Sequence, residues 1–291
     1  MAGETQSSSL SGTIYASVID LGIIAYQYDN LTVTPFLRYK TIADESTDTA
    51  RFPRYVKSTG PVAGTPATET TALTATEMTT TSATVQVSRV GLARELTETA
   101  KEDSVIGRAL YVQGFIMDAA RLYGEYFDTT ATALFGSLTV IKGVSGQPMS
   151  IVSMVDLLGA QRTNKARGEN VISLHDHQLK QLQSAQVQAT STGWPAFYAP
   201  NGAGGQYGGV FMGCQIWASG LNPTDSNGNR LGAIFSVDPE YAAMAYVVKR
   251  VPSSLTQTNI LMDSNQWASF ARVGFGIIAN NFATAARSVN A

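Results

Sequence analysis

At 291 residues the chain has room for one large domain or two smaller ones, and its 44% hydrophobic content supplies a core. Only 14% of its residues are charged, against ~25% in an average soluble domain, so much of the surface is expected to be covered; subunit contact is the simplest cover, because interface cores are depleted in charge. A net charge of −2 without a long basic run argues against a dedicated basic patch for nucleic acid, though not against a wall that merely encloses it.

The opening "MAGETQSSSLSG" lacks the basic and apolar regions of a signal peptide. The run that follows, "TIYASVIDLGIIAYQYDN", is broken by Asp20, Gly22 and several tyrosines, which argues against a membrane span. It reads as an arm that docks on a neighbour or as an ordinary surface element. In "ARFPRYVKST" aromatic and basic residues alternate, and Pro53 limits the stretch to an edge strand. The segment "GTPATETTALTATEMTTTSATVQV" (64–87) is dominated by threonine and carries two charges, Glu69 and Glu77. Its end alternates Ala83, Val85 and Val87 against Thr84, Gln86 and Ser88, a half-buried strand. Residues 50–90 therefore read as a two-armed ribbon, which in isolation is marginal in water and needs support from outside itself.

From Thr97 to Leu134 the period changes. Val105, Ala109, Val112, Ile116, Ala120, Tyr123, Phe127, Ala131 and Leu134 recur at steps of three and four, one stripe of a long helix. Gly107, Gly114 and Gly124 weaken it locally and would allow another backbone close. After Gly136 come a short strand, "LTVIKG", and a second helix, "SIVSMVDLLGAQRTNKA", stopped by Gly168. "NVISLHDHQLKQLQSAQ" reads as strand, turn and helix, with Asp176 as candidate N-cap. Residues 190–209 are loop-rich. Then "VFMGCQIWAS" and "LGAIFSV" read as two strands around the polar tip "NPTDSNGNR", in which Asn227-Gly228 is a hairpin signal. The strands "AYVVKRV" and "SFARVGFGIIA" flank a polar stretch at 252–266. The fold class is α+β, without a solenoid repeat.

Conventional catalysis is thinly provisioned. His175 and His177 flank Asp176, but a metal site would need a third ligand, and a strand-to-helix turn explains the triplet. Asp225, Asn227 and Asn229 alternate as in a calcium loop, yet the glycine is misplaced and no closing glutamate follows. "GAGGQYGG" lacks the dinucleotide-binding spacing, and neither a nucleophile elbow nor a P-loop is present. The single cysteine, Cys214, cannot form an internal disulfide and sits in an apolar run as a buried small hydrophobe would. No enzyme, cofactor or metal is expected. On the ribbon, Arg51, Arg54 and Lys57 read either as a solvated edge that blocks aggregation or as contacts to carboxylates of an adjacent subunit.

The succession of elements carries a resemblance. A polar arm precedes a ribbon; "VQVSRVGLARELTETAKEDSVIGRALYVQGFIMDAARLYGEYF" passes from strand into one long helix. "SMVDLLGAQRTNKARGENVISLHDHQLKQL" follows as helix, strand and helix, and "GGVFMGCQIWASGLNPTDSNGNRLGAIFSVDPEYAAMAYV" as strand, loop and strand. This resembles the major capsid protein of tailed double-stranded DNA bacteriophages with the Hong Kong 97-type fold, over roughly residues 10–285. The resemblance implies an N-terminal arm (1–34), an extended loop (35–96), and a peripheral domain (97–186) with a spine helix at 97–135. It further implies an axial domain (187–243) and a returning peripheral segment (244–291). It implies self-assembly into pentamers and hexamers of an icosahedral shell, in the host cytoplasm and then the virion, around packaged DNA that is not read by sequence. A separate scaffolding protein, a portal and a possible decoration protein are the implied partners; no membrane is. Candidate interface residues are Arg51, Arg54 and Lys57 on the extended loop, and Asn222, Asp225, Asn227 and Arg230 on the axial loop. Two alternatives stand beside this: an encapsulin-type nanocompartment on the same fold, and, from another class, a secreted glycan-binding or carbohydrate-active β-rich protein suggested by the Thr/Ser content.

Overall fold

Among the described residues three long helices lie against two sheets, and a two-stranded ribbon rises from one of them. The computed structural model describes residues 23–24, 31–55, 80–97, 107–164, 168–188, 207–259 and 264–289. The strands in chain order are β1 (Arg38–Thr41), β2 (Thr49–Tyr55), β3 (Thr80–Gln86), β4 (Ser88–Thr97), β5 (Ile141–Lys142), β6 (Asn170–Leu174), β7 (Tyr207–Phe211), β8 (Cys214–Ala218), β9 (Arg230–Ser236), β10 (Met244–Asn259), β11 (Ser264–Ile277) and β12 (Ala283–Ser288). The helices are α1 (Gly107–Ala133), α2 (Ile151–Thr163) and α3 (Asp176–Gln188).

At 27 residues, α1 is about 40 Å long. It buries Phe115, Ala119, Ala120, Tyr123, Phe127 and Ala131, a stripe at helical spacing. That stripe lies on Trp267, Ala271 and Val273 of β11, with Val90 and Leu92 of β4 beside them. The sheet beneath is four-stranded, ordered β1-β10-β11-β4. β10 and β11 pair antiparallel from Met244↔Ile277 to Asn259↔Ser264. The polar stretch at 252–266 is thus mostly strand. Pro252 is accommodated because the ladder is irregular between Arg250 and Ser253.

One expectation about this region changes. β4 runs on to Thr97, so the helix does not begin there; residues 98–106 lie outside the described residues. At its other end α1 tightens into a 3-10 turn at Leu134–Ser137. Among the described residues Gly114 makes no close approach, since a Cβ there would meet nothing within 4 Å.

The second sheet has six strands, ordered β5-β12-β9-β6-β8-β7. Helices α2 and α3 cover one face through Met154, Leu157, Leu158 and Leu182, which meet Ile172, Leu174, Ile216 and Ile234. The opposite face, with Val171, Ala233 and Phe235, closes on Phe135 and Leu138 after α1. β6 is central and buried on both sides, as strands sandwiched between layers are. Cys214 belongs to the helix-side cluster, where burial pushes its thiol pKa up.

This sheet corrects two strand readings. "VFMGCQIWAS" is not one strand: it turns at Met212 and Gly213, whose φ angles of 48° and 88° suit a tight two-residue hairpin loop, and β7 pairs back on β8. Nor do β8 and β9 form a hairpin. β6 lies between them, parallel to β8 and antiparallel to β9. The Asn227-Gly228 turn closes only a local loop, with Gly228 N–H donating to Asp225 O at 3.0 Å.

Candidate functional site

Two regions carry the residues singled out by sequence: the ribbon and the 219–229 loop. In the ribbon, β2 and β3 pair antiparallel from Thr49↔Gln86 to Tyr55↔Thr80. Alternation turns Ala50 and Phe52 inward, and with Val85 and Val87 they cover Ile42, Ala245 and Val247. Two glycines of β11 permit this approach. A Cβ on Gly274 would stand 2.2 Å from the Gln86 carbonyl oxygen, and one on Gly276 would stand 2.7 Å from Val85 Cγ2.

Charge fixes the same root. Lys249 Nζ donates to Asp48 Oδ1 (2.8 Å) and to the Thr47 carbonyl (2.8 Å), while Arg272 Nη2 donates to Asp48 Oδ2 (2.6 Å). The hydrogen bond from Lys249, with the Arg272 charge, holds the Asp48 carboxyl below its ordinary pKa. The Asp48 carbonyl accepts from Val87 N–H at 2.8 Å, closing the ribbon's base. The root therefore takes the support that a lone ribbon needs from other elements of its own chain.

Arg51 is exposed, and its carbonyl accepts from Lys40 Nζ at 3.2 Å. Arg54 points back toward the chain: its guanidinium lies 4.5 Å from the centroid of Phe282, and Nη1 donates to Asn281 Oδ1 at 3.2 Å. Lys57 lies outside the described residues, as do residues 56–79 of the threonine-rich segment.

In the loop between β8 and β9, most polar side chains shape the loop itself. Asn222 is buried and exchanges hydrogen bonds with Ser173 Oγ. Asp225 Oδ1 accepts from the amides of Asn227 and Asn229, both at 2.9 Å, and its other oxygen lies 3.4 Å from Arg287 Nε. Burial raises the Asp225 pKa, but the hydrogen bonds from Asn229 and Asn227 outweigh it and the net shift is downward. The Asn229 side chain also ties the loop to Ser145 Oγ (3.0 Å) and Gly146 N–H (3.0 Å). The Arg230 carbonyl accepts from Gln178 Nε2 at 3.0 Å. Of the four loop candidates, Asn227 alone is exposed; it borders a cleft of about 440 Å³ with Pro223, Ser226, Ile141 and Arg287.

The histidine pair is a helix start, but His175, not Asp176, is the cap. His175 Nδ1 accepts from the His177 amide (3.1 Å), and Gln178 Oε1 reaches back to the His175 amide (3.0 Å), a reciprocal capping box with an imidazole as cap. The two rings stack at 5.2 Å. Burial, then the Arg230 charge, lower the His175 pKa. Among the described residues no cluster of three or more His, Cys, Asp or Glu side chains is arranged to hold a metal ion.

One anchor was not singled out by sequence. Asp128 of α1 is fully buried and accepts from the amides of Thr32 (2.5 Å), Val33 (3.2 Å) and Thr34 (3.1 Å), and from the hydroxyls of Thr32 and Thr34. It pins residues 32–34 to the long helix and satisfies the free amides at the start of the 3-10 turn Thr34–Phe36. The available signal was an acid directly after Phe127, on the inward side of the stripe. Apolar side chains also stand uncovered, among them Met117, Leu122 and Tyr126 on α1 and Val152 and Val155 on α2. No helix among the described residues is long and apolar enough to cross a membrane.

No family model matches the chain, and no curated relative does. Solved structures match over most of their length. One from Mycobacterium phage Che8 superposes with a TM-score of 0.63 at 13% identity, covering 82% of this chain and 84% of that one. The capsid of Ralstonia phage GP4 gives 0.63 at 10% identity, covering 87% of each chain. The SrpI encapsulin complex from Synechococcus elongatus gives 0.62 at 10% identity, covering 88% of this chain and 86% of that one. At such identities the likeness is one of fold. The chain has the fold of tailed-phage capsid proteins, which encapsulins share, and the resemblance read from its succession of elements holds at that level.

Proposed function

We propose that the chain is a structural shell subunit: a phage major capsid protein that self-assembles into pentamers and hexamers of an icosahedral capsid around packaged double-stranded DNA. The observation that carries this is the likeness of fold, over more than four-fifths of the chain, to proteins of closed shells. In this reading the arm (1–34) and the extended loop (35–96) are the parts that reach neighbouring subunits. The ribbon's root is fixed on its own chain, and Arg51, Lys57 and the distal residues engage the next copy. The axial domain (187–243) gathers at the capsomer centre, with Asn227 at the exposed tip of its loop. Uncovered apolar side chains and sparse charge support extensive burial on assembly. The subunit does no chemistry. Each contact is weak, and the shell is stable because every copy makes several. A scaffolding protein and a portal complete the assembly, formed in the host cytoplasm and carried in the virion.

Negative-stain microscopy of the purified protein, alone and with its scaffold, tests the reading. Shells or capsomers are expected; persistent monomers under both conditions refute it. Deleting residues 64–79 keeps Thr80 for pairing with Tyr55, so the body should stay folded while shells are lost. A second reading, an encapsulin-type compartment, is favoured by the match to the Synechococcus complex, as close as the phage matches. Particles isolated from the native source separate the two: DNA content supports the capsid, protein cargo the compartment.

A further inference from the structure

Three arginines stand side by side on one rung of the four-stranded sheet. Arg250 of β10 is the register partner of Arg272 of β11, and Arg272 is the partner of Arg89 of β4. Register partners share a face and lie about 5 Å apart, where like charges oppose each other. This face is the one turned away from α1. The adjacent residues Val90, Ala271 and Val273 pack under the helix, whereas Arg89 stacks on Phe270, its guanidinium carbon 4.0 Å from the ring centroid. Phe270 in turn lies flat over Gly91, where a Cβ would stand 2.4 Å from its ring.

The rung is not neutralised from within. Among the described residues Asp48 is the one carboxylate that bonds to it, and Asp48 is shared between Arg272 and Lys249. Among the described residues no ion pair holds Arg89 or Arg250, and both are exposed. Four cations therefore face one carboxylate, in a chain where only 14% of residues are charged. Such a row repels itself unless an anion lies across it.

We propose that the Arg89–Arg272–Arg250 row contacts the phosphate backbone of nucleic acid, without reading its sequence. Guanidinium forks match phosphate oxygens bidentately, and stacking on Phe270 holds one fork in orientation. Each strand of a double helix carries a phosphate about every 3.4 Å along the axis, whatever the base sequence, so contact with the row needs no particular sequence. Among the described carboxylates, Asp48, Glu95, Asp118, Glu125, Asp128 and Asp225 are bonded within their own chain, and an acidic protein surface is the alternative that the test below separates. The proposal deepens the capsid reading and rests on it for the nature of what is enclosed.

The test uses the full chain, unassembled, and a short labelled duplex of arbitrary sequence titrated over a range of salt. Each phosphate contact contributes ~0.9 to the slope of log K against log salt. The variant Arg89→Gln/Arg250→Gln is expected to lower that slope by about 1.8. A control with the same change in net charge, Lys142→Gln/Arg162→Gln, should leave it unchanged. An unchanged slope in the row variant, or an equal drop in the control, overturns the proposal. So does polyglutamate binding that the row variant alone loses while its duplex binding persists, which would assign the row to an acidic protein. The midpoint of thermal unfolding should change little in the row variant, because the like-charge repulsion removed offsets the lost stack of Arg89 on Phe270; a large fall would make the arginines structural. Failure of the shell reading shows separately, as wild-type protein that forms no particles whatever its duplex slope.

Discussion

Replacing Asp128 tests how residues 32–34 are held. Its carboxylate collects three backbone amides and two hydroxyls in a fully buried site. In Asp128→Ala the amides lose their only described acceptor and water has no ready access. Each buried donor left unpaired costs about 1–3 kcal/mol, but the short segment can relax, so the five costs will not add. Breaking a buried charged network by removing one partner costs about 3–5 kcal/mol, and that range is the expectation. Asp128→Asn is more selective. It keeps one oxygen for Thr34 but turns an NH₂ toward the other donors or toward Thr34 itself, so about half the loss is expected. Urea unfolding of the unassembled protein gives the energies, and hydrogen exchange reports the Thr32, Val33 and Thr34 amides. A loss below about 1 kcal/mol for Asp128→Ala, within the range of an ordinary surface change, would refute the reasoning if those amides also kept their protection.

Gly274→Ala should destabilise the ribbon root, since the new methyl would overlap the Gln86 carbonyl; faster exchange at Val87 with little change at α1 is the expected signature. Gly114→Ala meets nothing within its own chain and should raise the stability of the unassembled protein by up to ~1 kcal/mol. If particles of that variant fail to form, Gly114 faces a neighbour. For His175, burial and Arg230 lower the folded-state pKa, so the unfolded chain takes up the proton first as pH falls below about 6.5. Stability should drop from there down to the lower folded value, and His175→Asn, which still caps, should flatten that limb of the urea midpoint against pH. Asp48 behaves as a carboxylate with a depressed pKa. Its contribution is present above the unfolded value near 4 and is lost as pH falls through the folded value. Asp48→Asn should abolish the acid-induced rise in exchange at Val87.

Local features were legible in the sequence where one period governs them. The stripe from Ile116 to Ala131 announced α1, and Ala83-Val85-Val87 announced the inner side of β3 and its exit, because one face of each element meets the core. The hairpin at Met212-Gly213 escaped because its apolar flanks hide the turn inside one hydrophobic run. The separation of β8 from β9 could not be read locally. β6, which intervenes, is supplied from residues 170–174, and strand order is a property of the whole sheet. The loop candidates were polar for internal reasons: Asn222 and Asp225 satisfy their own backbone and neighbours, which composition does not distinguish from display. The arginine rung was invisible for the same reason as the strand order. Arg89, Arg250 and Arg272 lie on three strands, and only the register brings them together.

Asp48 connects the two features that matter most. Its carbonyl closes the ribbon through Val87, and its carboxylate takes Lys249 on one oxygen and Arg272 on the other. The ribbon and the arginine rung therefore share one anion. If the root swings away from β11, Arg272 loses its partner and the rung gains a free positive charge; if an anion binds the rung, Arg272 is drawn from Asp48 and the root loosens. Linkage makes the two effects equal in free energy whichever comes first. On the proposal that the rung contacts phosphate, the base of the segment proposed to reach a neighbour would respond to what lies against the sheet.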